Sequence, residues 1–407
     1  MTNNQTLAAH AKDVFVPNYR PAPVVLDRGE GAYVYDIEGR RYLDMVAGIA
    51  VSALGHGHPK LTEALKAQAG RLLHTSNLYL NQPAIELADR LVAHCFAERV
   101  FFCNSGAEAN EACIKTARRF AFAQGDTERN RIVTFTHSFH GRTYGALTAT
   151  AQPKYQEGFG PMPEGFDYIE YGDEAALREV LSNKTAAILL EPIQGEGGVN
   201  LPPSGFLSTC RQLADDCGAL LIFDEVQAGV GRTGKMFAHQ HESVAPDLMA
   251  VAKGVGGGLP LGAMVATARV ADVMQPGTHG TTYGGSPLAC IAGVVVMDEV
   301  AQPGFMDNVV RQGQALMDGL DAVNQRCAVF SKIRGRGLMV GAQLSDQAAF
   351  SAKDVVAECR KEGVLVHVAG QRVLRLVPPL ILEANHVAEA IAAIEVAVTR
   401  LQKKDGQ

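Results

Sequence analysis

Five short apolar runs recur through the middle of this chain, and their spacing constrains the fold more than any other feature. They are RVFFC (99–103), RIVTFT (131–136), AAILLEP (186–192), ALLIFDE (219–225) and GAMVAT (262–267). Each is too short for a buried helix and fits a strand covered on both faces. Helical patterns lie between them, one over 204–217 and another starting near Ser105 and running through EANEACIKTARRFAFA. Strands alternating with helices predict an α/β domain with a mostly parallel sheet over about 60–300. In such sheets ligands gather at the carboxyl ends of the strands. A length of 407 residues, with 47% hydrophobic and 20% charged residues, suits two or three domains with substantial cores.

The two ends read differently. Residues 27–45 have hairpin character, with turns at 28–31 and 38–39. Helical patterns cover 303–325 and 384–402, and GRGLMVGAQL, VLVHVAG and VLRLVPPL between them predict a second, smaller sheet. The expected division is an N-terminal segment at 1–59 packing with the smaller unit, a large domain at 60–300 and a small α+β domain at 301–407. A net charge of -6 argues against a nucleic-acid partner. No run approaches the ~18 apolar residues of a membrane span. The first 20 residues hold Lys12 and Asp13 and no apolar core of a leader, and the eight cysteines show no C-x-x-C. Reduced thiols and a cytoplasmic location are expected.

The stretch ALLIFDEVQAGVGRTGK (219–235) offers two readings. Gly229, Gly234 and Lys235 have the spacing of a phosphate loop, and Asp224 sits where an ATPase strand would hold Mg²⁺. Met236 then stands where Ser or Thr is needed, five residues separate Asp224 from Val230, and the acidic strand precedes the loop. The dinucleotide pattern fails too, since Gly254-Val255-Gly256 is followed by Gly257-Gly258-Leu259. The other reading lets Asp224 face a protonated pyridine nitrogen. Pyridoxal 5'-phosphate (PLP) enzymes need such an acid, a lysine for the Schiff base and a phosphate cradle. Lys253 lies between an apolar stretch and a glycine run in LMAVAKGVGGGLPLG, a setting that desolvates an amine. In FFCNSGAEANEA a strand ends at Cys103, the chain turns at Asn104–Gly106 and a helix begins, leaving free N–H groups for an anion. Ser105 also fits an ordinary N-cap, with Glu108 completing a capping box. No metal centre is expected. His56 and His58 in GHGHP read as part of a turn, and His137 and His140 as structural, because no acids or cysteines recur beside them.

These residues carry a family resemblance. GIAVSALGHGHP (48–59), FFCNSGAEANEA (101–112), HSFHGRT (137–143), EPIQGEGGV (191–199), LLIFDEVQAGVGRTG (220–234), AKGVGGGLPLGAM (252–264), THGTTYGG (278–285) and RGRGLMVG (334–341) resemble the class III PLP-dependent aminotransferases of fold type I. Within that class the chain looks like the acetylornithine/succinylornithine aminotransferases, from about Tyr19 to about Pro379. The resemblance implies that Lys253 binds PLP covalently and shuttles the proton, and that Asp224 pairs with the ring nitrogen. It implies Gln227 near the phenolic oxygen, Phe139 on the ring face, and Ser105, Gly106 and Ala107 around the phosphate. Thr282 would reach the phosphate of a partner subunit, so a homodimer with shared sites is expected.

The substrates implied are an N-acylornithine and the glutamate/2-oxoglutarate pair, and one pocket must take both a terminal amine and an α-amine. The family pattern maps onto Arg142, which would bind the carboxylate of the N-acylornithine and the distal carboxylate of glutamate. Arg375 would bind the α-carboxylate of glutamate, and Glu196 would mask Arg375 when an N-acylornithine is bound. An arginine fork suits such bidentate work. Read alone, Arg142 and Glu196 are ordinary exposed charges and Arg375 is the polar face of a strand. Thr281 and Tyr19 are further substrate contacts implied by the resemblance. Ala228, Val255 and Arg20 depart from the usual pattern, and Arg20, beside Tyr19, raises the option of a longer, carboxylated acyl group such as succinyl. Acetylornithine is the first expectation. Succinylornithine, another ω-amino acid, and from a different class a Mg-dependent NTPase, are the alternatives.

Overall fold

The computed structural model describes residues 3–405. Its centre is a seven-stranded sheet in the order Arg99–Cys103, Gly262–Ala266, Leu248–Val251, Leu220–Asp224, Thr185–Leu190, Arg131–Phe135, Phe166–Ile169. Four neighbouring pairs run parallel. Strand Gly262–Ala266 is antiparallel to both its neighbours. All five expected strands are present, and Leu248–Val251 and Phe166–Ile169 join them. Leu248–Val251 spans four residues and is entirely buried, so no polar alternation marks it.

Successive residues of these strands feed opposite cores, as the two-residue period of a strand requires. Leu221 and Phe223 join one core with Val133, Phe135, Ile188 and Leu190. Leu220 and Ile222 join the other with Ile132, Ala187 and Leu189. Helix Gly106–Ala123 covers the second face with Ala109, Ala112, Cys113, Ile114 and Phe120. Helices Phe206–Cys217 and Pro287–Val300 cover the first. Pro287–Val300 is apolar nearly all round because it is buried nearly all round, against helices Pro59–Ala69 and Gln82–His94.

Strands Leu26–Glu30, Tyr33–Asp36 and Arg41–Asp44 form the expected antiparallel hairpins. The first turn falls at Gly31–Ala32, since the strand runs through Glu30. A fourth strand, Val364–Leu365, adds to this sheet in parallel, pairing with Leu43 and Asp44. The C-terminal sheet is antiparallel, in the order Phe330–Arg336, Met339–Leu344, Val373–Leu376, His367–Ala369. Helices Phe305–Cys327 and Ala384–Asp405 pack together beside it. Tyr33 and Arg41 both reach Glu389, at 2.9 and 3.0 Å, across the two ends of the chain. No single helix among the described residues is long and apolar enough to cross a membrane.

Candidate active site

A cavity of about 410 Å³ opens at the carboxyl ends of the central strands. Asp224, the last residue of its strand, and Lys253, just beyond Leu248–Val251, both line it. Ser105, Gly106, Ala107, Phe139, Arg142, Glu196 and Gln227 line it as well. A larger cleft of about 620 Å³, walled by Lys115, Arg118, Arg119 and Arg129, includes none of these residues.

Asp224 is held on three sides. Oδ2 accepts from Asn110 Nδ2 at 2.8 Å and pairs with His140 Nδ1 at 2.7 Å, and Oδ1 accepts from Val226 N–H at 3.0 Å. Asn110 also donates to the His140 carbonyl at 2.8 Å, so acid, amide and imidazole lock one another. His140 is structural, as expected, but its work is to hold Asp224. Asn110 gave no sequence signal beyond its place one helical turn after Gly106.

Lys253 has φ 49°, a left-handed conformation uncommon for a side-chain-bearing residue, and it opens a 3₁₀ turn, Lys253–Gly256. Strain of this kind persists where the surroundings over-determine it. Burial pushes its amine down from the ordinary lysine range, Arg375 adds to that push, and Glu196 and Asp224 oppose it. A desolvated amine beside a cavity is a nucleophile and a proton carrier.

The helix after Cys103 begins at Gly106, with Ser105 Oγ accepting from Glu108 N–H at 3.2 Å. The reciprocal bond of the expected capping box is displaced by one residue. Glu108 accepts from the N–H of Asn104, at 2.7 Å, rather than from that of Ser105. Gly106 fits closely: a Cβ there would lie 2.7 Å from Val226 Cγ1.

Glu196 and Arg375 form an ion pair, with Nη1 to Oε1 at 2.5 Å. Burial raises the Glu196 carboxyl, but Arg375 and Lys253 outweigh it and hold the acid below its usual range. Arg375 is fully buried, and its Nε and Nη2 have no hydrogen-bond partner. Gln227 is tied into the same pair, accepting from Arg375 Nη1 at 3.1 Å and donating to Glu196 at 3.2 Å. Both ends of its amide are engaged there, and the side chain lines the cavity beside Asp224 and Lys253. Arg142 has its guanidinium 3.8 Å from the Tyr155 ring centre and 5.4 Å from that of Phe139.

Three further residues implied by the resemblance, Thr282 among them as a contact to a partner subunit, do not line this cavity. Tyr19 is 80% exposed and does not line the cavity of its own chain. Thr282 is exposed and also outside it. Thr281 stands behind the wall, where Oγ1 accepts from Asn104 Nδ2 at 3.3 Å and from Gly284 N–H at 3.2 Å. Val51 and Glu191 line the cavity although sequence reasoning passed over both.

The family model for aminotransferase class-III matches residues 14–398. The chain belongs to the class III aminotransferases. It is 50% identical over 386 residues to the acetylornithine aminotransferase of Xanthomonas axonopodis pv. citri, covering 94% of this chain and 95% of that protein. The corresponding enzyme of Brucella melitensis is 50% identical over 384 residues, covering 94% of each. Among solved structures, the N-acetylornithine aminotransferase of Stenotrophomonas maltophilia K279a superposes with a TM-score of 0.85 at 42% identity, covering 97% of this chain and 99% of that one. The ornithine aminotransferase of Toxoplasma gondii ME49 superposes with a TM-score of 0.95 at 33% identity, covering 99% and 97%. Class III aminotransferases are PLP-dependent enzymes of fold type I, and so is this chain. The cavity fits the cofactor: it has an amine whose desolvation pushes it below the ordinary lysine range, an acid fixed by three partners, and a helix start where a side chain on Gly106 would press on Val226.

Proposed function

We propose that this chain moves the terminal amino group of N2-acetylornithine to 2-oxoglutarate, giving N-acetylglutamate semialdehyde and glutamate, as in arginine biosynthesis. The observation that carries this reading is the Glu196–Arg375 pair in the wall of the cavity. A masked arginine lets an ω-amine donor lie against a neutral wall. The same arginine, with two donors to spare, can take an α-carboxylate when Glu196 moves aside. Names of relatives at 50% identity support the acyl-ornithine donor.

Lys253 Nζ would hold PLP and, once free, take a proton from the substrate carbon and return it. Asp224 would hold the protonated ring nitrogen, kept in place by His140 and Asn110. Ser105, Gly106 and Ala107 would bind the phosphate, and Phe139 would cover one ring face. When bound, PLP supplies the electron sink that makes this proton removable. Arg142 would bind the carboxylate of the acyl-ornithine and the distal carboxylate of glutamate.

The homodimer is part of the proposal. Leu78, Leu80 and Tyr283 are 81%, 89% and 65% exposed. Asn77 Nδ2 donates to the carbonyls of Thr281 and Gly284, both at 3.1 Å, and so joins the segment that carries Leu78 and Leu80 to the one that carries Thr282 and Tyr283. A second copy covering them would receive Thr282 near its own phosphate site. The division at 1–59, 60–300 and 301–407 is proposed on similar grounds, supported by the pairing of Val364–Leu365 with Leu43 and Asp44.

Purified protein supplied with PLP should be yellow and should turn over N-acetylornithine with 2-oxoglutarate, while Lys253→Ala should lose both properties. Succinylornithine, ornithine and 4-aminobutyrate complete the donor panel. Preference for free ornithine, the donor suggested by the Toxoplasma likeness, would overturn the acyl assignment.

A further inference from the structure

Glu191 directly follows strand Thr185–Leu190 and is buried in the cavity wall. Its carboxylate serves two loops. Oε2 accepts from Phe139 N–H and Oε1 accepts from Gly195 N–H, each at 3.1 Å. The first loop carries Phe139 and His140, the neighbour of Asp224. The second carries Glu196 through QGEGG, where Gly195, Gly197 and Gly198 flank it. A backbone so rich in glycine has much conformational freedom to lose. It therefore depends on fixed anchors to present one carboxylate to Arg375.

We propose that Glu191 is a positioning residue that sets the donor preference of this enzyme, by tethering Gly195 so that Glu196 stays over Arg375 while holding the Phe139 loop beside it. The inference rests on the reading of Glu196 as the mask over Arg375. Only a carboxylate presents two acceptors and no donor, and both N–H groups need an acceptor. Glutamine has one acceptor oxygen and would turn its NH₂ toward the other N–H, so one tether is lost at almost unchanged volume. Burial pushes the Glu191 carboxyl up, with Asp224 adding to the shift and His140 and the two N–H groups opposing it.

Full-length Glu191→Gln, loaded with PLP, tests the proposal in two ways. The ratio of KM for N-acetylornithine to KM for glutamate is expected to rise about tenfold, since one charge-assisted hydrogen bond that anchors the loops around the mask is lost. Glu191→Asp keeps two acceptors on a shorter arm and is expected to lie between wild type and Gln. Hydrogen exchange is expected to quicken in the segments 136–141 or 193–199 of the Gln variant. An unchanged ratio, a reversed order of the two variants, or exchange unaltered in both segments would each overturn the tether. If neither variant nor wild type turned over any ω-amine donor, the substrate assignment would fail, and exchange alone would still decide whether Glu191 holds the two loops.

Discussion

Replacing Glu196 by alanine should separate the two half-reactions. The Nη1–Oε1 distance is 2.5 Å, Arg375 is fully buried and the Glu196 side chain is 21% exposed. Opposite unit charges about 4 Å apart attract by roughly 4 kcal/mol at an effective dielectric near 20. Desolvation offsets much of that attraction. What a substrate carboxylate must displace is therefore closer to one charge-assisted hydrogen bond, about 1.5–3 kcal/mol. Removing Glu196 should lower the KM for glutamate by about 10- to 150-fold, given a factor of ten per 1.4 kcal/mol. The KM for N-acetylornithine should move the other way. That donor closes the cavity over an unpaired buried cation, and exposing such a charge to an apolar chain costs several kcal/mol. Steady-state kinetics in both directions, with each substrate varied in turn, give the two constants. Thermal melting confirms that the variant is folded. If both KM values moved in the same direction, or the glutamate value did not move, the masking argument would be wrong.

Further predictions concern the acid, the phosphate turn and the fold. Asp224→Asn removes the charge but keeps the shape, and should cut kcat by on the order of 10²–10³. His140→Ala leaves Asn110 and Val226 as partners of Asp224 and should cost a smaller factor of about ten in the same assay. Gly106→Ala sets a Cβ 2.7 Å from a methyl carbon of Val226 and should destabilise by about 1–3 kcal/mol. Weaker PLP retention on dialysis should accompany that loss, and unchanged retention would argue against a phosphate site there. Glu358 is bound by Lys361, Arg400 and Lys404 at 2.8, 3.0 and 3.1 Å, and their hydrogen bonds, Lys361 first, depress its carboxyl from 4.5 to about 2. A depressed acid stabilises above its unfolded pKa and loses that contribution as pH falls from about 4.5 through about 2. The three cations are largely exposed, so Glu358→Gln should cost only about 1 kcal/mol at neutral pH and flatten this part of the acid unfolding curve.

Strands buried on both faces announce themselves, because every position must be apolar. LLIFD and TAAILL are unmistakable for that reason, and Asp224 stands out as the charge that ends one of them. Gly106 at the start of its helix and the lysine between apolar and glycine runs are equally local. Leu248–Val251 is equally buried but only four residues long, and it runs without a break into the approach to Lys253, so it does not stand out. Nothing local tells which surface the extended segment around Tyr19 follows, and the structure leaves that side chain exposed, outside the cavity of its own chain.

The sequence by itself determined the α/β core and its five main strands and singled out Lys253 and Asp224 by their local setting, while Glu196 and Arg375 followed only from the family resemblance. It did so because burial, backbone geometry and cofactor chemistry each demand a residue type at a local spacing. Tertiary structure alone decided who holds whom. His140 meets Asp224 across 84 residues, Glu196 meets Arg375 across 179, and Glu191 reaches back 52 residues to Phe139. A hydrogen bond depends on position and direction in space, and at such separations both are set by the packing of the sheet and its loops rather than by neighbouring residues.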